Sequence, residues 1–154
     1  KITIKGNHEN YYLNPSLIKN NIVKKFYEHT IQKFYSNKTI SGYVNFYKFK
    51  KYMCLHTIND KKIFKDTIIT TDQKYIIGHS HYQFINKLNK FYIINPGSVG
   101  QNRANLNLIS FCKYNLSNDS FKFFNIEYDV NILINEMKNL NYPKVCLDYY
   151  ISKI

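Results

Sequence analysis

The sequence predicts an α/β fold in which short strands end in polar loops and helices lie between them. Two observations support this fold class. Short runs rich in apolar residues at positions 2–4, 52–55 and 75–77 each lead into a segment that carries histidine. Apolar residues spaced as on one face of a helix occupy positions 22–34 and 132–140. Strand patterns and helix patterns are therefore combined within a chain of 154 residues.

The first predicted strand covers residues 2–4 and leads into the string Gly6-Asn7-His8-Glu9. Glycine ends the strand, and the polar side chains then follow on a loop. Asn7 offers a carbonyl oxygen, and His8 offers a ring that can bind a metal or donate a proton near neutral pH. The Glu9 carboxylate can orient that ring. The pattern predicts a loop with chemical function at this strand end.

The middle of the chain is predicted as a helix, a polar loop, a β-hairpin and a segment of open assignment. Ser16 is the predicted N-cap of the helix, and His56 follows the second strand of the hairpin. The last segment fits either a short helix or a substrate-side loop. In order, the four segments are residues 16–34, residues 35–39, residues 43–47 paired with 51–55, and residues 59–72.

The segment at residues 74–81 carries the main functional signal. Tyr75 to Ile77 form a short buried strand, Gly78 ends it, and His79 and His81 follow with one residue between them. In a nearly extended backbone residues i and i+2 point the same way, so the two imidazoles are expected to converge. Imidazole is the commonest metal ligand among side chains. The segment therefore predicts one metal centre or two adjacent ones.

The carboxyl-terminal half is predicted as two strand pairs followed by a helix. Asn89-Lys90 and Asn118-Asp119 are the predicted turns, and a turn-rich string from Asn95 to Gly100 is expected to stop the strand before it. Asp129 is the predicted cap of the helix, which ends before Pro143. The strands and the helix are residues 83–88, 91–94, 106–116, 121–128 and 132–140.

The charge and the cysteines limit the classes of function. A net charge of +12 attracts polyanions, but the lysines are scattered and no nucleic-acid motif accompanies them. No apolar run approaches the ~20 residues of a membrane span. The three cysteines, which lack C-x-x-C spacing, are expected to be reduced thiols in a cytoplasmic protein. Cys54 lies two residues before His56, and core packing is preferred over metal binding for it.

Four motifs together resemble a known family. The strings GNHE at residues 6–9, His56 after an apolar strand, GHSH at residues 78–81 and NPGSVG at residues 95–100 are similar to the later motifs of the calcineurin-like metallophosphoesterases. Their order and spacing resemble the small prokaryotic-type branch. The resemblance implies a partial αββα sandwich of two mixed sheets flanked by helices, formed by residues 1–154 as a single domain.

The earlier motifs of that family, Asp-x-His and Gly-Asp-x-x-Asp, do not occur in this sequence. We therefore expect an incomplete domain without the family's amino-terminal βαβα part. Such a fragment is expected to expose an apolar face and unpaired strand edges. It would then form a homo-oligomer or associate with a separate amino-terminal half.

The resemblance also implies a site with two divalent metal ions. It assigns Asn7, His56 and His79 to one metal and His81 to the other. It places His8 over the phosphate, with Glu9 or a backbone carbonyl as its orienting partner. Manganese is the first choice of metal, and iron, zinc and nickel are alternatives. Arg103 is a candidate for phosphate contact, because its planar fork suits phosphate oxygens.

Three functions fit these observations. The first is a metal-dependent phosphoesterase, or part of one, that acts on phosphomonoesters or phosphodiesters through a two-metal-activated hydroxide. The second is a non-catalytic relic or regulatory module that binds metal weakly. The third is a nuclease or nucleic-acid-binding protein on the same scaffold, which the positive charge favours.

Overall fold

The computed structural model describes residues 1–34, 37–88 and 90–154. Its contacts divide the chain into two compact units. One unit consists of Lys1–Asn45 and Asp129–Ile154 and is mainly helical, and the other is Phe46–Tyr128 and contains both sheets. The helices are α1 (Asn7–Leu13), α2 (Asn21–Phe34), α3 (Asn37–Ser41), α4 (Val130–Asn139) and α5 (Lys144–Ile151). The strands are β1 (Phe46–Phe49), β2 (Tyr52–Leu55), β3 (Lys74–Ile76), β4 (Gln83–Leu88), β5 (Phe91–Pro96), β6 (Leu108–Asn115) and β7 (Ser120–Glu127).

The helical unit is built around α2. Asn20 caps this helix, because its side-chain oxygen accepts hydrogen bonds from the backbone N–H groups of Ile22 and Val23. Phe26 then packs its ring against aromatic rings near and within α5, with centroid distances of 5.5–6.2 Å. Cys146 of α5 is fully buried. These contacts bury one face of each helix.

Several local predictions in this unit are wrong. Ser16 lies in a short 3-10 turn after Asn14 and does not cap α2. The predicted loop at residues 35–39 contains the start of helix α3, although Tyr35 and Ser36 lie outside the described residues. Pro143 follows α4 as predicted, and it also occupies the N-cap position of α5.

The predicted strand at residues 2–4 is reduced to a single bridge. Ile4 pairs in parallel with Val44, and the backbone N–H of Lys5 donates to the Val44 carbonyl at 2.8 Å. The chain then turns at Gly6 into helix α1, where a loop was predicted. The Glu9 carboxylate accepts a hydrogen bond from the Gly6 N–H at 2.7 Å and so closes the first turn.

The sheet unit contains a five-stranded sheet in the order β1-β2-β3-β5-β4. Strand β3 pairs in parallel with β2 and with β5, whereas β1 and β4 pair antiparallel at the edges. Its core contains Ile63, Ile77 and Ile93, which are at most 2% exposed. Of the predicted apolar runs, residues 52–55 form β2, and the run at 75–77 forms most of the central strand β3 with buried Ile77 directly after it.

The second sheet is the hairpin of β6 and β7, which was predicted around Asn118-Asp119. Gln83 of β4 joins the two sheets, because its side-chain amide donates to backbone carbonyls of β5, β6 and β7 at 3.0–3.2 Å. The two sheets and the helices confirm the predicted α/β class.

Some strand boundaries differ from the predictions. The first hairpin strand begins at Phe46 and not at residue 43, and β5 continues through Pro96. The sequence did not decide between a short helix and a loop for residues 59–72. These residues form neither helix nor strand. The predicted turn residue Asn89 lies outside the described residues. No helix in the described part of the chain has the length and apolar character of a membrane span.

Candidate metal centre

The candidate metal centre lies where three neighbouring strands end. Strands β2, β3 and β5 are parallel, so their carboxyl ends meet at one edge of the sheet. His56 follows β2, the segment with His79 and His81 follows β3, and Asn95 lies near the end of β5. Sites in sheets of this kind form at the carboxyl ends of strands. The topology therefore brings His56 beside His79, which lies 23 residues further along the chain.

Two of these histidines are in direct contact. Nε2 of His56 lies 2.9 Å from Nδ1 of His79, and the two ring planes are inclined by 81°. Both residues are half-buried. The backbone brings them together, because the Gly78 N–H donates a hydrogen bond to the His56 carbonyl at 3.0 Å. This bond extends the pairing of β2 and β3 beyond the end of β3. The structure thus places the His56 and GHSH segments side by side.

The separation of the two nitrogens fits two ligands of one metal ion. At 2.9 Å the two nitrogens share a hydrogen bond, in which one ring donates and the other accepts. Metal binding needs the lone pairs of both nitrogens, so it requires removal of the shared proton from between the rings. The pair can then supply two ligands to one ion.

His81 has the hydrogen bond typical of a metal-binding histidine. Its Nδ1 lies 2.8 Å from the backbone carbonyl of Gln101, which can only accept a hydrogen bond. Nδ1 therefore carries the proton, and the lone pair is on Nε2. A backbone carbonyl on one ring nitrogen fixes the tautomer and the orientation of metal-ligating imidazoles.

The backbone of this loop differs from the extended form that the sequence suggested. His79 and His81 have φ angles of 55° and 63°, in the left-handed region that residues other than glycine rarely adopt. The Ser80 N–H donates to the Gly78 carbonyl at 2.7 Å, so His79 is the central residue of a γ-turn with positive φ. This turn is rare and strained. The expectation that an extended backbone aligns both imidazoles is wrong, because the loop folds back on Gly78.

The remaining predicted residues are placed as follows. Asn7, His8 and Glu9 form the first turn of α1 in the helical unit, where the exposed His8 ring lies 5.6 Å from the Tyr11 ring. Arg103 is exposed on the loop after β5, and its side chain has no ion pair among the described residues. The roles assigned to these four residues stay predictions.

Two observations limit the set of metal ligands. Burial raises the pKa of the Cys54 thiol, which keeps it protonated and disfavours it as a ligand. Among the residues that the structure describes, no three side chains of histidine, cysteine, aspartate or glutamate form a group that could hold a metal ion. The histidine pair thus provides two ligands, and a metal ion bound there would need further ligands.

The sequence reasoning missed the groups that support the histidines. The sequence predicts Asn95 as the start of a structural turn, although a polar residue at the end of the apolar run 91–94 is a usable signal of a further role. Its side chain is fully buried and contacts the GHSH segment. The role of the Gln101 carbonyl could not be predicted from the sequence, because every residue carries a backbone carbonyl.

Comparison with known proteins gives short sequence matches. No protein-family model matches the chain. A stretch of 80 residues is 30% identical to an uncharacterised protein of Methanocaldococcus jannaschii and covers 42% of this chain and 33% of that protein. A stretch of 53 residues is 38% identical to a probable metallophosphoesterase of Mycoplasma genitalium and covers 34% of this chain and 32% of that protein. The chain therefore spans about a third of the length of the curated relatives it matches.

Comparison with solved structures covers nearly the whole chain. A hypothetical protein of Pyrococcus horikoshii OT3 matches with a TM-score of 0.76 at 15% identity, over 94% of this chain and 70% of that one. A metallophosphoesterase of Sphaerobacter thermophilus matches with a TM-score of 0.72 at 16% identity, over 100% of this chain and 77% of that one. At these identities the likeness concerns the fold.

Proposed function

We propose that this chain, whose fold is that of the calcineurin-like metallophosphoesterases, provides part of the metal centre of a phosphoesterase. The observation that carries the proposal is the 2.9 Å approach of His56 and His79 at the ends of two parallel strands. Residues 1–154 belong to one metallophosphoesterase-like domain in this proposal, and the sequence matches to a probable metallophosphoesterase support it.

The proposed site divides its residues between metal binding and proton transfer. His56 and His79 hold one divalent ion together with Asn7, and His81 holds a second. Two such ions, when bound, would activate a water for attack and neutralise charge on the phosphoryl oxygens. His8 gives a proton to the leaving oxygen, with Glu9 at its side, and Arg103 contacts the phosphate. The further ligands come from outside the described histidine loops.

Manganese is the first choice of metal in this proposal, with iron, nickel and zinc as alternatives. Nitrogen and oxygen ligands suit all four metals.

The proposed substrates are phosphodiesters or phosphomonoesters in the cytoplasm. The net charge of +12 supports an anionic substrate and keeps nucleic acid as an alternative partner. A second copy of the chain or a separate amino-terminal half is the proposed source of the carboxylates that a two-metal centre needs. Salt dependence separates the substrates, since nucleic-acid binding weakens steeply as salt rises.

A second candidate function is a non-catalytic module that binds a single metal weakly. It is favoured by the finding that no three-residue ligand group occurs among the described residues. Two imidazoles hold a metal less firmly than three or four ligands. This module would bind metal at His56 and His79 and hydrolyse nothing.

The test measures metal content and hydrolysis in the same preparations. The chain is freed of metal with a chelator, loaded with manganese, passed through a desalting column and examined by elemental analysis. Hydrolysis of bis(p-nitrophenyl) phosphate is then followed with and without added manganese. The variants are His79→Ala and His8→Ala, and His29→Gln is the control because the proposal gives this histidine of helix α2 no role at the metal centre.

The two candidate functions predict different results. A phosphoesterase centre predicts that His79→Ala loses bound manganese and hydrolysis, while His8→Ala keeps its metal and loses ~10²–10⁴-fold in turnover. His29→Gln should match the wild type in both. Bound manganese without hydrolysis favours the non-catalytic module. Wild type that binds no more manganese than His79→Ala contradicts both proposals.

A further inference from the structure

Asn95 is a buried polar residue whose side-chain amide makes hydrogen bonds through both its nitrogen and its oxygen. It lies in β5 and has no exposed surface. Its amide nitrogen donates to the Gly78 carbonyl at 2.6 Å and to the Ser80 hydroxyl at 3.0 Å. Its amide oxygen accepts from the Gly97 N–H at 3.0 Å. An amide that satisfies both of its N–H groups and its oxygen in the protein interior has one fixed orientation.

The two acceptors of Asn95 flank His79. The Gly78 carbonyl also receives the Ser80 N–H at 2.7 Å, which closes the γ-turn over His79. A residue with positive φ in such a turn costs about 1–3 kcal/mol and persists only where surrounding contacts hold it. Within the described residues, Asn95 is the side chain that binds both ends of this turn.

We propose that Asn95 is the positioning residue of the metal centre: it holds His79 in its strained turn, with Nδ1 directed at His56. The inference rests on the proposed metal-binding function of these histidines. Asn95 does not touch the metal in this assignment. It acts through Gly78 and Ser80, and without it His79 would relax to an extended backbone and turn its ring away from His56.

A buried asparagine of the same sheet offers a matched control. Asn86 of β4 is 8% exposed, and its amide nitrogen donates to the Thr67 carbonyl at 3.0 Å. It therefore also supplies a buried amide donor to a loop carbonyl. That loop carbonyl lies outside the GHSH segment, so the loss of Asn86 affects stability without affecting the γ-turn.

The experiment compares Asn95→Leu with Asn86→Leu in the whole chain. Leucine has a similar size and removes the amide donors in both cases. Manganese affinity is measured by competition with a chromophoric chelator, and unfolding is followed by circular dichroism. Hydrogen exchange of the Ser80 amide, measured on the metal-free protein, reports the turn itself.

We expect Asn95→Leu to lose about 10–100-fold in manganese affinity, the usual effect of removing a partner that orients a ligand. Asn86→Leu should stay within about threefold of wild type on the same assay, well below that orienting effect. In the metal-free protein, Ser80 exchange should accelerate by about tenfold in Asn95→Leu alone, since a hydrogen bond of ordinary strength is lost. Equal losses of affinity in both variants would overturn the inference, as would an unchanged affinity in folded Asn95→Leu.

Ser80→Ala keeps the test decisive if Asn95→Leu does not fold. It removes one of the two acceptors that Asn95 binds and leaves the other in place. A smaller loss of affinity than expected for Asn95→Leu, with a normal melting temperature, supports the inference, and no loss contradicts it. If the wild type itself binds no manganese, the proposed function fails, whereas the exchange of the Ser80 amide still tests Asn95.

Discussion

Replacing Gly97 with alanine should destabilise the sheet unit strongly. Gly97 follows β5 with a φ angle of 90°, where an L side chain is strained. A methyl group there would approach the Ser110 side chain far more closely than carbon atoms normally do, and it would lie 3.2 Å from Cβ of Gln83. Optimal carbon contacts are about 3.5–4.0 Å. One or both strands must therefore move.

The neighbouring side chain cannot move away easily. Ser110 is 2% exposed, its hydroxyl accepts a hydrogen bond from Asn102 at 2.6 Å, and it donates to Asn125. Overpacking of this kind costs about 1–3 kcal/mol. The positive φ adds about 1–2 kcal/mol. Together they give a loss of about 2–5 kcal/mol, which lowers the melting temperature by about 5–15 °C for a chain of this size.

The assay is urea unfolding of Gly97→Ala beside Gly100→Ala, with circular dichroism as the probe. Gly100 lies three residues away on the same loop, and a methyl group there would meet nothing within 4 Å. Its replacement should change stability by less than about 0.5 kcal/mol. If Gly97→Ala loses less than about 1 kcal/mol, or no more than the control, the packing of this loop on β6 is not as described.

Three further predictions follow from the same region. Gly78→Ala should be tolerated, with unchanged manganese affinity and a stability change below about 1 kcal/mol, because its methyl group would lie 3.8 Å from Nδ1 of His56. Gln83→Leu should lower the free energy of unfolding by about 2–4 kcal/mol in a urea titration, since it removes the donor shared by three backbone carbonyls. Burial raises the pKa of the Cys112 thiol to about 11. Because the thiolate is the reactive form, alkylation by iodoacetamide should be about 100-fold slower at pH 8 than for a thiol of pKa 9 and should rise with pH up to about 11; a rate that is flat above pH 9 contradicts this assignment.

Elements with strong local signals were predictable from the sequence. The alternation of residues 83–88 and 121–128 gives β4 and β7, and Asp129 caps α4 through the Asn131 N–H as expected. Helix α1 was missed because Gly6 reads as a strand breaker. Its one local signal was Glu9, whose carboxylate can return to the Gly6 N–H.

The candidate site was predictable only in part. Histidine is recognisable in any sequence as a possible metal ligand. His56 and His79 could therefore be assigned to one site, because each follows the end of a predicted strand. Their support could not be found in this way, because Asn95 lies 17 residues beyond Gly78 and reaches it across the sheet. The positive φ at His79 is uncommon for residues other than glycine, and the sequence did not predict it.

The register between β3 and β5 links these observations. Ile76 pairs with Ile94, and the Ile77 N–H donates to the Ile94 carbonyl at 2.8 Å, so Asn95 follows directly beside the GHSH segment. A slip of one residue would direct Asn95 to the opposite face of the sheet and leave Gly78 without this donor. Gly97 helps to fix the Asn95 amide, because its N–H donates to the Asn95 oxygen, and its missing side chain lets β6 approach. The geometry of His79 therefore depends on the sheet register as much as on the loop that carries it.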